Sequence, residues 1–497
     1  MTHPILALAA DSVSYWPLGI LAISVGFIVF TIIKLKLHPF LALIFAAVLT
    51  GLLTGDLPGM TTENVGLFKS RVTLNDTPGD AANDMLLAVK WSLLGFGNTA
   101  AAIGFVVALA AIIGTCMLGS GAADRVVRWL LGIFGEKRAG LVLLMSGFLL
   151  SIPVFFDTVF FLLIPLARAL SLRTGKSYTL YVIAMAGAGA ITHSMVPPTP
   201  GPLFVAVQLD VDLGLMIMMG LVVGSVACAT GYVYAKFVNG HDKWRVPLRD
   251  SADLPLAKLE EIAQRDNKSL PPLGLSLLPV LLPIVLIAGN TILQKLIADP
   301  PVGLANFLGL VGDKNIALII SAAVALGLLA MQKRGDKQAL FDSVQSALAS
   351  GGVVILITAA GASFGAMLQQ TNIAARIGGL AADFEITGLL VLPLAFFVTA
   401  VVRTAQGSAT VSMITSVGIF AGMAATLPFH PVYLAMAIGC GSKPFPWMND
   451  SGFWVINRMS GMTIGETIRS VSFLMTVMAI DGLVAVMLLA WLFPMSG

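Results

Sequence analysis

Two proline-rich stretches, residues 192–202 (THSMVPPTPGP) and 443–452 (KPFPWMNDSG), interrupt long apolar runs of the chain. Proline has no backbone N–H, and its ring clashes with the preceding helical turn, so neither stretch can continue a helix. Apolar segments precede and follow both stretches. The sequence therefore predicts two helices, each broken near its middle.

The composition places these helices in a membrane. Of the 497 residues, 57% are hydrophobic and only 11% are charged, whereas soluble domains contain about 25% charged residues. Several segments approach or reach the roughly 20 apolar residues that cross a bilayer; they include residues 19–33, 103–118, 215–234, 275–293 and 473–493. We therefore predict an all-α polytopic membrane protein.

Several other classes of protein do not fit. The first ten residues lack a basic leader and a cleavage site, so we expect the mature protein to begin close to Met1. The three cysteines lie far apart in apolar segments, which is typical of packing residues and not of disulfides or metal sites. Residues 175–177 (GKS) have Leu170 where a nucleotide-binding loop needs glycine. We expect no enzyme activity, no cofactor, no metal and no nucleic-acid partner.

An internal duplication appears when the sequence is shifted by 251 positions. Without a gap, this shift aligns the two proline-rich stretches and places Asp157 on Ser408. Identities at this shift include Gly114 with Gly365, Ala123 with Ala374, Arg125 with Arg376, and Gly201 with Gly452. We predict a first repeat over residues 1–238, a cytoplasmic linker over 239–275 and a second repeat over 276–497.

The basic residues orient the repeats. Lys and Arg accumulate in cytoplasmic loops, and they follow the first apolar span at Lys34 and Lys36 but are missing before it. Both ends of the apolar stretch 139–167 are also flanked by basic residues, which predicts a hairpin that enters and leaves on the cytoplasmic side. Each repeat then has five crossings, one re-entrant hairpin (about 139–170 and 386–424) and one broken helix (about 180–207 and 431–459). The odd number of crossings inverts the second repeat and places both termini outside.

The breaks and the hairpin tips are the predicted binding site. A break frees backbone N–H and C=O groups in a region without bulk water, as a membrane carrier requires. The second hairpin tip, residues 403–410 (RTAQGSAT), combines a guanidinium with hydroxyls and a glycine. Such groups suit a carboxylate with neighbouring hydroxyls, and the N-termini of half-helices add partial positive charge.

Structural interpretations compete with this one. The breaks could be simple kinks, and Arg403 could pair with Asp157 or Asp450 instead of binding a solute. Asp450 could cap a helix with or without a ligand role, and His193 could be a neutral buried histidine or a proton relay. We expect Lys443 to face the site or to pair with an acid, because an ammonium facing lipid is costly.

Two features of the last helix have structural interpretations. Thr463 and Glu466 have the spacing of a capping box at its start. Asp481 interrupts its apolar run, and a contact with a neighbouring helix is favoured over a role in coupling.

Several motifs resemble the gluconate permease family, over nearly the whole length. They are residues 153–157 (PVFFD), 192–193 with 197–198 and 200–202, Arg403 with 407–410, 449–454 (NDSGFW) and 463–467 (TIGET). The family comprises proton-coupled carriers of gluconate and related sugar acids, and some members move D-serine. Its place in the ion-transporter superfamily implies a homodimer with a scaffold and a moving part, here in the plasma (inner) membrane of a bacterium.

The resemblance and the breaks together predict proton symport of gluconate or a related small hydroxy-carboxylate. The alternatives are another small acid or D-serine, with possible sodium coupling, and a gated anion channel. Thr199 and residues 445–448 (FPWM) depart from the family pattern, which has histidines there, so a smaller or more highly charged acid is an option. Asp157 and His193 are the predicted proton carriers. The predicted substrate-binding residues are Thr158, Ser194, Thr199, Gly201, Arg403, Thr404, Gln406, Gly407, Ser408, Thr410, Lys443, Asn449, Asp450 and Ser451.

Overall fold

A computed structural model describes residues 15–55, 57, 81–175, 177–249, 270–297, 301–371, 373 and 388–495. The predicted outside position of the N-terminus, most of the predicted linker, and the duplicated residues Ala374 and Arg376 lie outside the described residues. So do the first two residues of the predicted second hairpin.

The described residues form helices and no β-strand. Eight of the helical segments described are long and apolar enough to cross a membrane. This confirms a nearly all-helical membrane protein. The first part of the chain contains α1 (Trp16–Ile33), α2 (Pro39–Thr54), α3 (Ala81–Gly119), α4 (Ala122–Phe134), α5 (Ala139–Leu150), α6 (Phe156–Thr174), α7 (Tyr178–Met195), α8 (Pro200–Gln208) and α9 (Leu213–Gly240).

The second part repeats much of this order. It contains α10 (Leu273–Leu296), α11 (Val302–Gly312), α12 (Lys314–Gln332), α13 (Lys337–Gln370), α14 (Val391–Gln406), α15 (Ala409–Phe420), α16 (Val432–Gly441), α17 (Ser451–Ser460) and α18 (Ile464–Leu492), in which Ile468–Ser472 is a π-helical segment. Helices α8 and α17 start 251 positions apart, and so do α9 and α18.

Helix ends lie at both proline-rich stretches. Helix α7 ends at Met195, and α8 begins at Pro200 as the first helical residue, where proline is tolerated. Helix α16 ends at Gly441, and α17 begins after Asp450, whose carboxylate accepts the Phe453 N–H at 3.0 Å. Backbone groups are therefore free of helical partners at two points inside apolar segments.

Short turns join α5 to α6 and α14 to α15. The second turn contains Gly407, whose φ of 82° favours glycine. A Cβ at this position would overlap the carbonyl group of Asn449 in the break between α16 and α17. The absence of a side chain lets the second turn lie directly against that break.

Two pairs of long helices run antiparallel through the centre. In the pair α3 and α13, Gly95 lies against Ala366, Gly104 against Ile355, and Gly351 against Ala111. In the pair α9 and α18, Gly231 lies against Met478 and Gly482 faces Ala227. Residue numbers fall along one helix as they rise along the other. Small residues at the crossings let the backbones approach closely, as in membrane bundles generally.

The two structural interpretations for α18 hold. Thr463 and Glu466 form the predicted capping box, with both reciprocal hydrogen bonds present. The Asp481 carboxylate accepts a hydrogen bond from Thr230 on α9 at 2.8 Å, which is the predicted contact with a neighbouring helix. Cys116, Cys228 and Cys440 are buried and free.

A polar network joins several helix ends on one side of the molecule, which we call the linker side. The fully buried Arg168, near the end of α6, donates to the Met459 carbonyl at the end of α17 and to the Arg249 carbonyl at 2.7 Å. Arg249 in turn donates both guanidinium arms to Glu466, at 2.6 and 2.8 Å. The Tyr178 hydroxyl at the start of α7 donates to the Ser460 carbonyl at 2.6 Å.

The glycine at position 220 is expected to set the position of the first break. A Cβ at Gly220 on α9 would overlap the Met195 carbonyl where α7 ends. We expect Gly220→Ala to destabilise the protein by about 1–3 kcal/mol, as overpacking does. Gly289→Ala on α10, with open space around the new methyl group, is the control and is expected to be neutral or stabilising by up to about 1 kcal/mol. Thermal unfolding in detergent measures both, and equal unfolding temperatures would contradict the expectation.

Candidate functional site

A cavity of about 430 Å³ lies where the two turns and the second break meet. Helix α7 borders it below the first break, and α13 and the first turns of α18 close its sides. The polar residues that line it are Asp157, Thr158, His193, Ser350, Thr358, Arg403, Ser408, Thr410, Lys443, Asp450 and Ser451. Ten of the sixteen predicted site residues line it: those just named other than Ser350 and Thr358, together with Gly407.

Arg403 holds the second turn against the second break. Its side chain is 4% exposed, its Nε donates to the Ser442 carbonyl at 2.9 Å, and its Nη2 donates to the Asp450 carboxylate. Of the two pairings considered for Arg403, the structure has the one with Asp450. Asp450 also caps α17 through its other oxygen. The remaining arm, Nη1, is buried and has no hydrogen-bond partner among the described residues.

Lys443 adds a second buried cation to the cavity. Its side chain is 6% exposed. No carboxylate of the described residues lies within ion-pair distance of its ammonium. A buried ammonium is costly unless a polar or anionic partner compensates it. The cavity therefore offers an unneutralised cation, together with the free arm of Arg403, to an anion.

Asp157 and His193 also line the cavity. Asp157 is half-buried in the first turn of α6 and forms no ion pair within the described part of the chain. The His193 ring packs edge-on against Phe155 with 6.2 Å between ring centroids, and its Nδ1 is buried without a described hydrogen-bond partner. Both groups can change charge and both reach the cavity.

Six predicted site residues do not line the cavity; they are Ser194, Thr199, Gly201, Thr404, Gln406 and Asn449. Two of them join the second turn to the second break, because the Asn449 amide donates to the carbonyls of Thr404 and Ala405 at 2.9 and 3.1 Å. Thr199 uses its hydroxyl locally, on the Val196 carbonyl, and Gly201 packs against Met413. Closeness along the chain to a helix break therefore does not determine whether a residue faces the cavity.

Helix α13 supplies lining residues that the sequence analysis missed. Ser350 and Thr358 lie two turns apart on one face of this helix, with Val354 between them. A polar or small residue every four positions from Asp342 through Ser346 to Ser350 was the available signal. It was weak, because α13 contains no break. Phe155, Phe156 and Phe453 also line the cavity and give it apolar walls.

Comparison with known proteins identifies the family. The family model described as GntP family permease matches residues 16–66 and 79–492. The chain belongs to the GntP permease family. A gluconate permease of Pseudomonas aeruginosa is 31% identical over 480 residues, which cover 96% of this chain and 98% of that protein. The D-serine transporter DsdX of Escherichia coli O6:H1 is 30% identical, covering 94% of this chain and 97% of that protein.

Solved structures show the same fold at low sequence identity. The YdaH transporter of Alcanivorax borkumensis superposes with a TM-score of 0.63 at 16% identity, covering 93% of this chain and all of that one. MtrF of Neisseria gonorrhoeae gives a TM-score of 0.63 at 15% identity, covering 93% of this chain and 96% of that one. This GntP-family permease is therefore a multi-pass membrane transporter of a bacterial family, and its relatives are permeases and transporters.

The buried ion pair is expected to matter more for folding than the unpaired acid of the same cavity. We expect Asp450→Asn to destabilise the protein by about 3–5 kcal/mol, because it leaves Arg403 buried without its counter-ion. Asp157→Asn, which leaves no described cation unpaired, is the matched control and is expected to change stability by less than about 1 kcal/mol. Thermal unfolding of both variants in detergent compares them. A control that unfolds as early as Asp450→Asn would contradict the expectation.

Proposed function

We propose that this permease is a secondary active transporter that takes up gluconate or a related small hydroxy-carboxylate by proton symport. The observation that carries the proposal is the unneutralised Lys443 beside the free Nη1 of Arg403, both buried in one cavity. Charge-assisted hydrogen bonds from two cations suit a carboxylate. The gluconate permease relatives support the choice of a sugar acid.

The hydroxyl groups of the cavity suit the rest of such a solute. Ser408 and Thr410 lie beside Arg403 on the second turn, Ser451 lies at the second break, and Thr158 lies on the first turn. We propose that these side chains contact the hydroxyls of the acid. The aromatic walls then exclude water around the solute, which strengthens each polar contact.

Charge balance supports proton coupling. Arg403 and Asp450 neutralise each other, so the cavity otherwise contains Lys443, Asp157 and the arriving carboxylate. A protonated Asp157 leaves this set neutral, whereas an ionised Asp157 leaves a net negative charge in a region of low dielectric. Binding of the anion and binding of a proton therefore favour each other. His193, which faces the same cavity, is the second candidate carrier.

We further propose two inverted repeats over residues 1–238 and 276–497, joined by a cytoplasmic linker over 239–275. Thr230 and Asp481, which contact each other, lie 251 positions apart, and so do Gly104 and Ile355. Equivalent positions meet in this way only near a two-fold axis. The equivalent helices run antiparallel there, so an axis that relates them lies across the helices, in the membrane plane.

This symmetry supports alternating access, by an elevator-type or rocking movement. The cavity borders α7, α17 and the first turns of α18, all of which reach the linker side, and none of its described lining residues belongs to α8 or α16. The basic loops support a cytoplasmic position for the linker side, and in that orientation the cavity corresponds to an inward-facing state. Both termini then lie on the outer side of the membrane. The family resemblance supports a location in the bacterial inner membrane and leads us to expect a homodimer.

D-serine is the second candidate solute. The DsdX relative supports it, and so does the unpaired Asp157, because an amino acid brings an ammonium that needs an anionic partner. If the protein takes up D-serine in preference to gluconate, Asp157 pairs with the ammonium of the solute and does not carry the coupled proton.

Uptake by the purified protein in liposomes tests the proposal. We expect labelled gluconate to accumulate when an inward proton gradient is imposed, with saturation at high substrate. Dependence on sodium alone would overturn proton coupling, and a flux that rises with voltage without saturation would favour an anion channel.

The role of Lys443 is tested by charge removal. We expect Lys443→Gln to weaken binding of the acid at least about tenfold, the effect of losing roughly 1.4 kcal/mol, because the only cavity cation without a described acidic partner is gone. Lys333→Gln, in the loop before α13, is the control and is expected to bind normally. Equal affinities for the two variants would move the anion site away from Lys443.

Sided labelling tests the inward-facing assignment. Ser350 on α13 is exposed and lines the cavity, whereas Thr99, its equivalent on α3, is 8% exposed. We expect Ser350→Cys, in a background without native cysteines, to react with a membrane-impermeant thiol reagent from the cytoplasmic face, and Thr99→Cys to react from the outside only when the transporter turns over. Labelling of Ser350→Cys from the outside alone would reverse the assignment.

A further inference from the structure

A second cavity, of about 420 Å³, forms a groove on the protein surface between α5 and α9. It is separate from the proposed solute site and shares none of its lining residues. Helix α5 contributes Leu144, Met145 and Phe148, and α9 contributes Cys228 and Ala229. The walls are almost entirely apolar, so the cavity suits hydrocarbon.

The groove runs along both helices, from the membrane interior to its edge. Phe148 lies against Gly224 at one end, and Tyr232 lies against Gly140 at the other. From Leu141 to Leu149 the lining spans about 12 Å of helix, close to half of the roughly 30 Å hydrocarbon thickness. Its length therefore matches one acyl chain within one leaflet.

Aromatic residues mark the depth of the outer end. Beyond Tyr232, the rings of Phe237 and His241 lie 4.2 Å apart between centroids with their planes tilted by 46°, and Trp244 meets Phe237 edge-on at 6.1 Å. Tyrosine and tryptophan gather at the level of lipid headgroups. The groove ends near this level, on the linker side, where α9 itself ends at Gly240.

A lysine side chain lies at the same depth as these aromatic residues. The Lys236 ammonium lies 4.6 Å from the centre of the Tyr232 ring, one turn beyond the groove. It is exposed, and no described carboxylate lies within ion-pair distance of it. Lys137 and Arg138 precede α5 on the same side. Basic residues at the cytoplasmic end of a crevice between membrane helices attract anionic headgroups.

We propose that this groove binds an anionic phospholipid, with one acyl chain between α5 and α9 and the phosphate beside Lys236. The apolar groove supplies the hydrophobic contact, and the lysine selects the charge of the headgroup. Because α5 leads into the turn that lines the solute cavity, the bound lipid packs against the helix that precedes this turn.

Lipid retention tests the proposal without reference to transport. The purified full-length protein is delipidated, incubated with phosphatidylglycerol or phosphatidylcholine of the same acyl composition, and examined by native mass spectrometry. We expect phosphatidylglycerol to be retained in preference. Ala229→Trp fills the groove and is expected to lose retention of both lipids, whereas Lys236→Gln is expected to lose about fivefold for phosphatidylglycerol only.

Matched controls separate the groove from the general surface. Val233→Trp adds the same ring one turn away at a position that is 66% exposed, and Lys243→Gln removes a charge beyond the helix end; both are expected to retain lipid normally. Equal retention of the two lipids by the wild type would overturn headgroup recognition. Unchanged lipid retention in Ala229→Trp would overturn the site. A change in the oligomeric state of Ala229→Trp without loss of lipid would also overturn it, because the groove would then be a subunit contact. Lys236→Gln alters only an exposed side chain, so it tests the proposal even where Ala229→Trp fails to fold.

Discussion

The ion pair between Arg403 and Asp450 connects the second turn with both ends of the second break. It is buried in a protein that has little charge inside its membrane region. Such a pair gains stability only when further hydrogen bonds satisfy its remaining groups. Here the Ser442 carbonyl accepts from Arg403, and the Phe453 N–H donates to Asp450. One interaction thereby closes the C-terminal end of one half-helix, caps the next, and fixes a turn against both.

That arrangement explains why the neighbouring cation is available. Asp450 is committed to Arg403 and to the cap of α17, so it cannot also neutralise Lys443. The second turn and the second break together thus contain two cations and one committed acid. An additional anion restores the balance, and the only other described acid that lines the cavity is Asp157, on the first turn. Under the proposed proton symport, a proton and the Lys443 ammonium compete for Asp157, and this competition links solute binding to the driving ion.

The sequence predicted the helical class, the positions of both breaks and ten of the residues that line the cavity, because prolines and intramembrane charges have strong local effects. It could not predict whether Thr199 and Gly201 face the cavity, because a non-helical stretch has no fixed periodicity that relates its residues to one surface. It also could not find Ser350 and Thr358, because their contribution depends on which helix packs across from the turns. The capping box at Thr463 was readable since it involves only residues close in sequence.

The polar network on the linker side has a consequence for how the chain is divided. Arg168 and Tyr178 come from the first part of the chain, whereas Ser460 and Glu466 come from the second, and Arg249 joins them from the segment between. The unit that they form is assembled from separate stretches of the chain: one hairpin, one broken helix and the start of α18. A chain cut within the linker would yield two fragments that each hold part of this unit, so neither fragment could bury its own polar ends without the other. The two parts of the chain are therefore expected to fold only together.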